Sequence, residues 1–498
     1  MRLFSRAKYS CFHLVSLTTT LLAAVAFLSV TKNGYKSFSS FSLTYSTSTW
    51  KSSIPNPSST TSSSFLVSSL EPNPKSSLYP KFNNPKMQKA VEGLTRDLNA
   101  ESLRRRGTKR DVKMEKIESG LARARALIQK TLSGEYHQES SLKDSNYIPH
   151  GEIYINPRIF YRSYFLMERL FKIFIYEEGE PPLFHNGPFN DIYSLEGILL
   201  SSMEKSVQFR TDNPDEAHVY LLPFSVVMII QYLFDPIIRD KAVLERVIGD
   251  YVRIISTKYP YWNRSLGSDH LMVSCHDWGP RATWYVRKLY FTSMRALCNA
   301  NTSEFFNPRK DVSFPEINLQ TGNISGLTGG FPPENRTVLA FFAGGLHGRI
   351  RPSLFQHWMN KDDDIKVYEN LPNEISYHEM MQKSKYCLCP SGHEVASPRI
   401  VEAIYAECVP VLISQHYVLP FSDVLDWSSF SIEISVGELP NLKSILMGIS
   451  EDRYRRMQER VKQVQRHFLI NDPPKPYDVF HMVIHSIWLR RLNVRIYG

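Results

Sequence analysis

From about residue 146 onward, short apolar segments alternate with amphipathic helical stretches, and that alternation restricts the chain to few architectures. Strands that are apolar on both faces need cover on both sides, which a parallel sheet wrapped by helices supplies. In a first series, Lys172–Tyr176, Ala217–Phe224 and His270–His276 read as strands, with helices near Ser194–Ser206 and Arg239–Ser256. Gly, Pro and Asn then crowd Gly322–Asn335, which reads as the boundary between two β/α bodies. A second series follows, with strands Val338–Ala343, Ile365–Tyr368, Tyr386–Cys389 and Val409–Ile413 and helices near Pro352–Met359, Tyr377–Lys385 and Pro398–Glu407. Two further helices, Glu451–Phe468 and Tyr477–Leu492, are expected to pack back across both bodies. The predicted fold class is α/β: two facing Rossmann-like domains, 146–325 and 326–470, with a cleft between them and a closing helix in 471–498. Ligands of such sheets bind beyond the carboxyl ends of the strands, so the loops after these strands are where chemistry is expected.

Composition narrows the partners. A chain of 498 residues that is 42% hydrophobic and 12% aromatic has material for large cores, which argues against a disordered or fibrous protein. The net charge of +10 admits acidic ligands, but charge alone decides nothing. Its main clusters, Arg104, Arg105, Arg106, Lys109 and Arg110, and Arg453, Arg455, Arg456 and Arg460, read as solvated faces, and no nucleic-acid partner is expected. Six cysteines are too sparse for a disulfide-built scaffold. With Cys11 at the edge of the apolar segment described next, five remain, so at least one is unpaired or bonded to another chain. Cys387 and Cys389 form a C-x-C without a second pair, so no structural metal is expected there.

Residues Leu14–Val30 form an uncharged apolar run behind Arg2, Arg6 and Lys8. It reads as a short transmembrane signal anchor (14–30) with a cytosolic tail (1–13), a cleaved signal peptide being the rival; either sends the rest into the lumen. Sequons at Asn263, Asn301, Asn323 and Asn335 agree with luminal exposure. Residues 31–110 are Ser/Thr/Pro-rich and then basic, a stem too polar to order itself. In the following segment, 111–145, Met114, Ile117, Leu121, Ala124 and Ile128 fall on one helical stripe, which is expected to dock on the catalytic body rather than pair with a copy of itself.

The most informative segment is YCLCPSGHEVASPRIVEAIYAECVPVLIS, Tyr386 to Ser414. It reads as strand, polar loop, helix, strand, with Ser397 as N-cap and Pro398 as first helical residue. Its helix N-terminus would then point at Ser391, Gly392, His393 and Glu394, a ready site for a diphosphate. Arg399 sits in the first turn, where helix physics prefers an acid, and Glu402 on the same face is suited to ribose hydroxyls. The plain alternative is an Arg399–Glu402 pair within the helix.

This segment resembles the signature region of exostosin-type glycosyltransferases, in particular the plant branch of type II Golgi membrane proteins. The stretches FKIFIYEEGEPPLFHNGP, TDNPDEAHVYLLPFS, DHLMVSCHDWGP and FFAGGLHGRIRPSLFQHW match as well, in order and spacing, over roughly Lys172 to Ile434. The resemblance implies a GT-B fold, a nucleotide-sugar donor held mainly by the C-terminal domain, and inversion at the anomeric carbon without a bound metal; it does not identify the sugar. No cofactor is implied beyond the nucleotide-sugar co-substrate.

The other segments carry their own chemistry. Gly344, Gly345, His347, Gly348, Arg349 and Arg351 follow a strand, a small-residue turn that admits a ligand to the backbone, with two guanidinium groups beside it to neutralise a departing diphosphate. His276 and Asp277 end a strand of the first series, where the base that takes the acceptor's proton is expected; adjacent residues on extended backbone point apart, so one acts and the other is structural. Tyr259, Tyr261, Trp262 and Trp278 read as core residues rather than sugar-stacking ones. Asp362 and Asp364 form a D-x-D, but in a loop before a strand, the wrong end of a sheet for a ligand. The leading expectation is a Golgi enzyme passing a sugar, UDP-linked, to a cell-wall or matrix polysaccharide, in a complex with other glycosyltransferases or alone. The alternative is a silent glycan-binding scaffold subunit. A glycoside hydrolase needs two cleft carboxylates, and the sequence offers no clear pair.

Overall fold

The structure is a computed structural model that describes residues 111–132, 147–284, 286–322 and 324–496. The expected tail, anchor and stem, with Cys11 and the basic run at Arg104–Arg110, lie outside the described residues, as does the sequon asparagine Asn323. Among the described residues no helix is long and apolar enough to cross a membrane.

Two all-parallel sheets organise the molecule. The first contains β1 (Ile173–Ile175), β2 (Val219–Leu221), β3 (His270–Ser274), β4 (Met294–Leu297) and β5 (Val312–Ser313), side by side in chain order. Alternate residues face opposite cores, as the strand period of two demands. Val219, Leu221, Leu271 and Val273 pack with the helices Ser194–Lys205 and Val479–Asn493, and Tyr220 and Met272 with Val226–Leu233 and Ala242–Lys258. The second sheet contains β6 (Val338–Ala343), β7 (Ile365–Tyr368), β8 (Ser384–Pro390), β9 (Val409–Ile413) and β10 (Ile432–Glu433), in the order β10-β9-β8-β6-β7. Here the chain steps outward from β6 to β7, then returns to the other side of β6, which makes a switch point between β6 and β8. The first sheet winds one way only, so the Rossmann-like expectation needs correction there: among the described residues it has no reversal and no switch point.

The strands unread in the sequence are the polar ones. Strand β4 carries Arg295, fully buried and paired with Asp311 at 2.6 Å, so a charge sits where an apolar run was sought. Strands β5 and β10 are two residues each. The helix Pro157–Leu170 was also missed, although Asn156 caps it by accepting from Ile159 N–H and Pro157 opens it.

The helix Val112–Leu132 docks as expected, burying Met114, Ile117, Leu121 and Ala124. Arg491 reaches its Glu118 at 2.6 Å, and Arg125 donates to the Leu492 carbonyl. The closing helices divide the work instead of each spanning both sheets. Glu451–Gln465 lies on the second sheet, while Val479–Asn493 covers β4 and β5 of the first, with Arg490 donating to the Asp311 carbonyl. Cys275–Cys298 joins the ends of β3 and β4, Cys387–Cys408 joins β8 to the approach to β9, and Cys389 is free and buried.

Candidate active site

Because β6 and β8 are neighbours at the switch point, the loops that leave their carboxyl ends emerge side by side. Glycines let them touch. A Cβ on Gly348, whose φ is +72°, would collide with the Gly392 carbonyl, and one on Gly344 would collide with the Arg399 guanidinium. The small residues of this turn thus admit the second loop and its arginine, where the sequence suggested room for ligand backbone contact.

Arg351 opens the helix Arg351–Trp358 and is 5% exposed; its Nη1 donates to the Gly345 carbonyl at 2.9 Å and its Nε is buried without a partner. Arg399 donates from Nε and Nη2 to the Ala343 carbonyl at 3.2 and 3.0 Å. Both guanidinium groups lie over the Phe342 ring, 5.5 and 5.0 Å from its centroid. Neither meets a carboxylate within ion-pair distance among the described residues. Burial, then the charge of Arg399, pulls the Arg351 guanidinium down to about 10. Two cations that disfavour each other in a half-buried place are a site for an anion.

The expected start of the adjacent helix, with Ser397 as its cap and Pro398 as its first residue, is corrected. The helix begins at Arg399 and has no side-chain cap; the Ser397 hydroxyl is drawn instead to Arg399 Nη1 at 3.4 Å, and Ile400 N–H is spent on the Ser397 carbonyl. The intrahelical Arg399–Glu402 pair does not form either. Glu402 accepts from Tyr377 Oη at 2.8 Å and from Asn318 Nδ2 at 3.4 Å.

A cavity of about 450 Å³ joins the two halves. From the second half it is lined by Gly345, His347, Arg351, Tyr377, Gly392, His393, Glu394, Arg399 and Glu402, and from the first by Ile192, Asp277, Glu316 and Asn318. The predicted residues therefore divide. Arg351, Arg399, Gly392, Glu402 and Asp277 converge on one hollow. Arg349 is exposed on the turn and is not among the lining residues, and Ser391 is buried, its hydroxyl held by the Val395 carbonyl and Ser414. His276 is not among the lining residues: its Nδ1 accepts from Trp278 N–H at 2.9 Å, and burial pushes it down to about 4.

Asp277 is oriented by the first turn of the helix Ser194–Lys205. Tyr193 Oη donates to Asp277 Oδ1 at 3.0 Å, and the fully buried Glu196 accepts from Cys275 N–H at 2.7 Å, fixing the backbone just before it. Burial pushes the Asp277 carboxyl above its ordinary value. Two further carboxyls went unassigned in the sequence. Glu394 is pushed up to about 7 by burial, then by Glu304 and Asp277, and Glu316 is pushed well above its usual range by burial, then by Asp277. Glu394 lay within the signature loop and was legible; Glu316 follows β5, which was not. Asn299 ties the halves together, its Nδ2 within 3.0 Å of Glu304 and 2.9 Å of Glu394.

Other expected features fall elsewhere. Asp362 and Asp364 are both held by Lys443, at 2.7 and 2.8 Å, at the amino ends of β6 and β7, opposite the cavity. Asn263 and Asn335 are exposed, whereas Asn301 is 8% exposed with its Oδ1 accepting from Ser303 in a structural turn. Trp262 is core, and Tyr261 stacks on Tyr220.

Comparison with known proteins bears on this arrangement. An Exostosin GT47 domain is matched over residues 167–449, which takes in both sheets and the cavity. An Arabidopsis thaliana protein named a probable glycosyltransferase is 65% identical over 76% of this chain and 82% of its own length. A second protein of that name in the same plant is 55% identical over 77% of this chain and 73% of its own. A probable beta-1,4-xylosyltransferase of Arabidopsis thaliana is 27% identical over 58% and 74%. Two parallel sheets flanking a charged cleft, with these relatives, define a glycosyltransferase. The chain belongs to the exostosin GT47 family.

Proposed function

We propose that the protein transfers a sugar from a nucleotide-sugar donor, a UDP-sugar, to a cell-wall or matrix polysaccharide with inversion at the anomeric carbon. The observation that carries this reading is the pair Arg351 and Arg399 at the switch point, two guanidinium groups without an acid partner among the described residues. They bind the donor's diphosphate and neutralise the charge that grows on it as the glycosidic bond to the sugar breaks. Glu402, held by Tyr377 and Asn318, accepts from the ribose hydroxyls. Across the cavity the acceptor hydroxyl attacks the anomeric carbon from the face opposite the leaving group, and its proton passes to Asp277 Oδ2. Tyr193 holds the other oxygen of that carboxylate. The raised Asp277 carboxyl stays a carboxylate above its titration range while being a better base than a free one.

The proposed setting is the Golgi lumen, behind a single-pass type II anchor. The apolar run behind basic residues supports it, as do two disulfides, which persist in oxidising compartments, and the exposed Asn263 and Asn335. The test is donor hydrolysis and transfer by the full chain across a panel of nucleotide sugars with arrayed glycan acceptors, with and without chelator. Turnover of one donor that survives chelation and is lost in Arg351→Ala supports the reading. Absence of any donor binding at about 1 mM, where association is worth only ~4 kcal/mol, would hand the case to a glycan-binding scaffold.

A further inference from the structure

One acid in the cavity has no part in the reaction above. Glu316 follows β5, is 4% exposed and lines the hollow from the first half. The backbone on both sides of it is fixed. Phe314 N–H donates to the Leu297 carbonyl at 3.2 Å, Ser194 Oγ donates to the Ile317 carbonyl at 2.6 Å, and Asp191 and Leu319 exchange backbone hydrogen bonds. Phe314, Ile317 and Leu319 are themselves core residues, so the segment cannot shift to relieve the acid. Among the described residues the Glu316 carboxyl has neither a hydrogen bond nor an ion pair, and the charges it feels most are Asp277 on its own side and Arg399 on the other. A buried polar group without a partner costs stability unless a ligand supplies one.

With Arg351 and Arg399 on the diphosphate and Asp277 on the acceptor hydroxyl, the sugar being passed lies between them, against Glu316. Burial, then Asp277, holds the Glu316 carboxyl well above its usual range, so it keeps its proton. A carboxylic acid offers one O–H donor and one carbonyl acceptor, the complement of a sugar hydroxyl, which both accepts and donates. The surrounding wall is acidic. Asp277, Glu316 and Glu394 line it, and the lysine and arginine side chains among the lining residues are Arg351 and Arg399, both taken by the diphosphate. His347 lies beside them, pulled below its ordinary value by burial, then by Arg351. Such a wall serves neutral hydroxyls and repels a sugar that carries its own carboxylate. We propose that Glu316 is a specificity-determining residue of the donor site, whose carboxyl hydrogen-bonds a hydroxyl of the transferred sugar and, with Asp277 and Glu394, selects an uncharged sugar over a uronic acid. This rests on the donor-site reading above.

The test is calorimetric titration of the full-length protein with UDP and with UDP-sugars grouped by ring configuration. One group is UDP-xylose, UDP-glucose and UDP-glucuronate; the other is UDP-arabinopyranose, UDP-galactose and UDP-galacturonate. In the configuration that binds more tightly, a neutral sugar is expected to exceed the uronate by at least about tenfold, the scale of one buried polar partner gained or lost. Glu316→Ala weakens that neutral donor by about tenfold and leaves UDP binding unchanged. Glu316→Gln, which keeps a donor and an acceptor in the same place, restores most of what alanine loses. The assignment is overturned by a uronate that binds as tightly as the neutral sugar, or by an alanine variant that binds the neutral donor as tightly as the unsubstituted protein. A glutamine variant as weak as alanine, or loss of UDP binding in both variants, overturns it too, by making Glu316 merely structural. Absence of UDP binding in the unsubstituted protein overturns the donor site itself, and this assignment with it.

Discussion

The two sheets are wrapped alike but wound differently, and the difference separates the chemistry. The second sheet reverses direction between β6 and β8, and the gap this opens at the strand ends is filled by two loops bearing Arg351 and Arg399. The first sheet runs β1 to β5 without reversal, and its contribution is a row of acids, Asp277 after β3 and Glu316 after β5. In the proposed reaction one half supplies charge for a leaving group and the other a proton acceptor, so neither is sufficient alone. Topology, more than residue type, decides which half offers an anion site: Arg295 and Arg490 in the first half are as buried as Arg351, but are spent on Asp311 and Asp423.

That division can be broken at several points. The largest effect is expected at Asp277→Asn, which removes the proposed base and lowers kcat by on the order of 10³-fold, the middle of the range for general-base loss. His276→Gln, one residue away, keeps most of the activity, and equal losses at both positions would show that the strand end, not the carboxylate, is what matters. In the other half, Arg351→Ala lowers kcat/KM by about 10²-fold, as for loss of one preorganised charge partner, while Arg349→Ala is expected to be nearly silent. Comparable losses at the two arginines would undo the distinction drawn between them.

Smaller effects sharpen the picture. Tyr193→Phe removes the hydrogen bond that favours the charged form of Asp277. Steady-state rates are expected to fall by about tenfold, the worth of one hydrogen bond to a charged group, and the acidic limb of the pH–rate profile moves to higher pH. A uniform fall with an unmoved limb would make Tyr193 merely structural. Glu394, pushed up to about 7, binds its proton more tightly folded than unfolded, so its contribution to stability declines as pH rises from its ordinary value through about 7. Glu394→Gln is therefore expected to raise the melting temperature at pH 8 and to leave it unchanged at pH 4; calorimetry at the two pH values decides.

The halves also differ in how legible they were. Strands β6, β7 and β9 were read to the residue, because apolar runs bounded by Gly, Pro and charged turns leave little choice of ends. In the first half, β4 hid behind Arg295, whose charge is met by Asp311 from a later segment, a long-range pairing that no local pattern encodes. The site followed the same rule. Arg351, Arg399, Glu402 and Asp277 were visible as motif residues next to recognisable strands. Glu316 was not, since its strand is two residues long, and Arg349 was indistinguishable from Arg351 until the turn fixed which one faced inward.

The helix Val479–Asn493 has a consequence for synthesis. It lays Ile484, Ile487 and Trp488 on the core of a sheet whose strands leave the ribosome far earlier, while the later sheet is covered by Glu451–Gln465. The first half, though translated first, is the last to be sealed. Its unsealed face is then where chaperones are expected to bind, and truncations before residue 479 would expose that face permanently while sparing the second sheet.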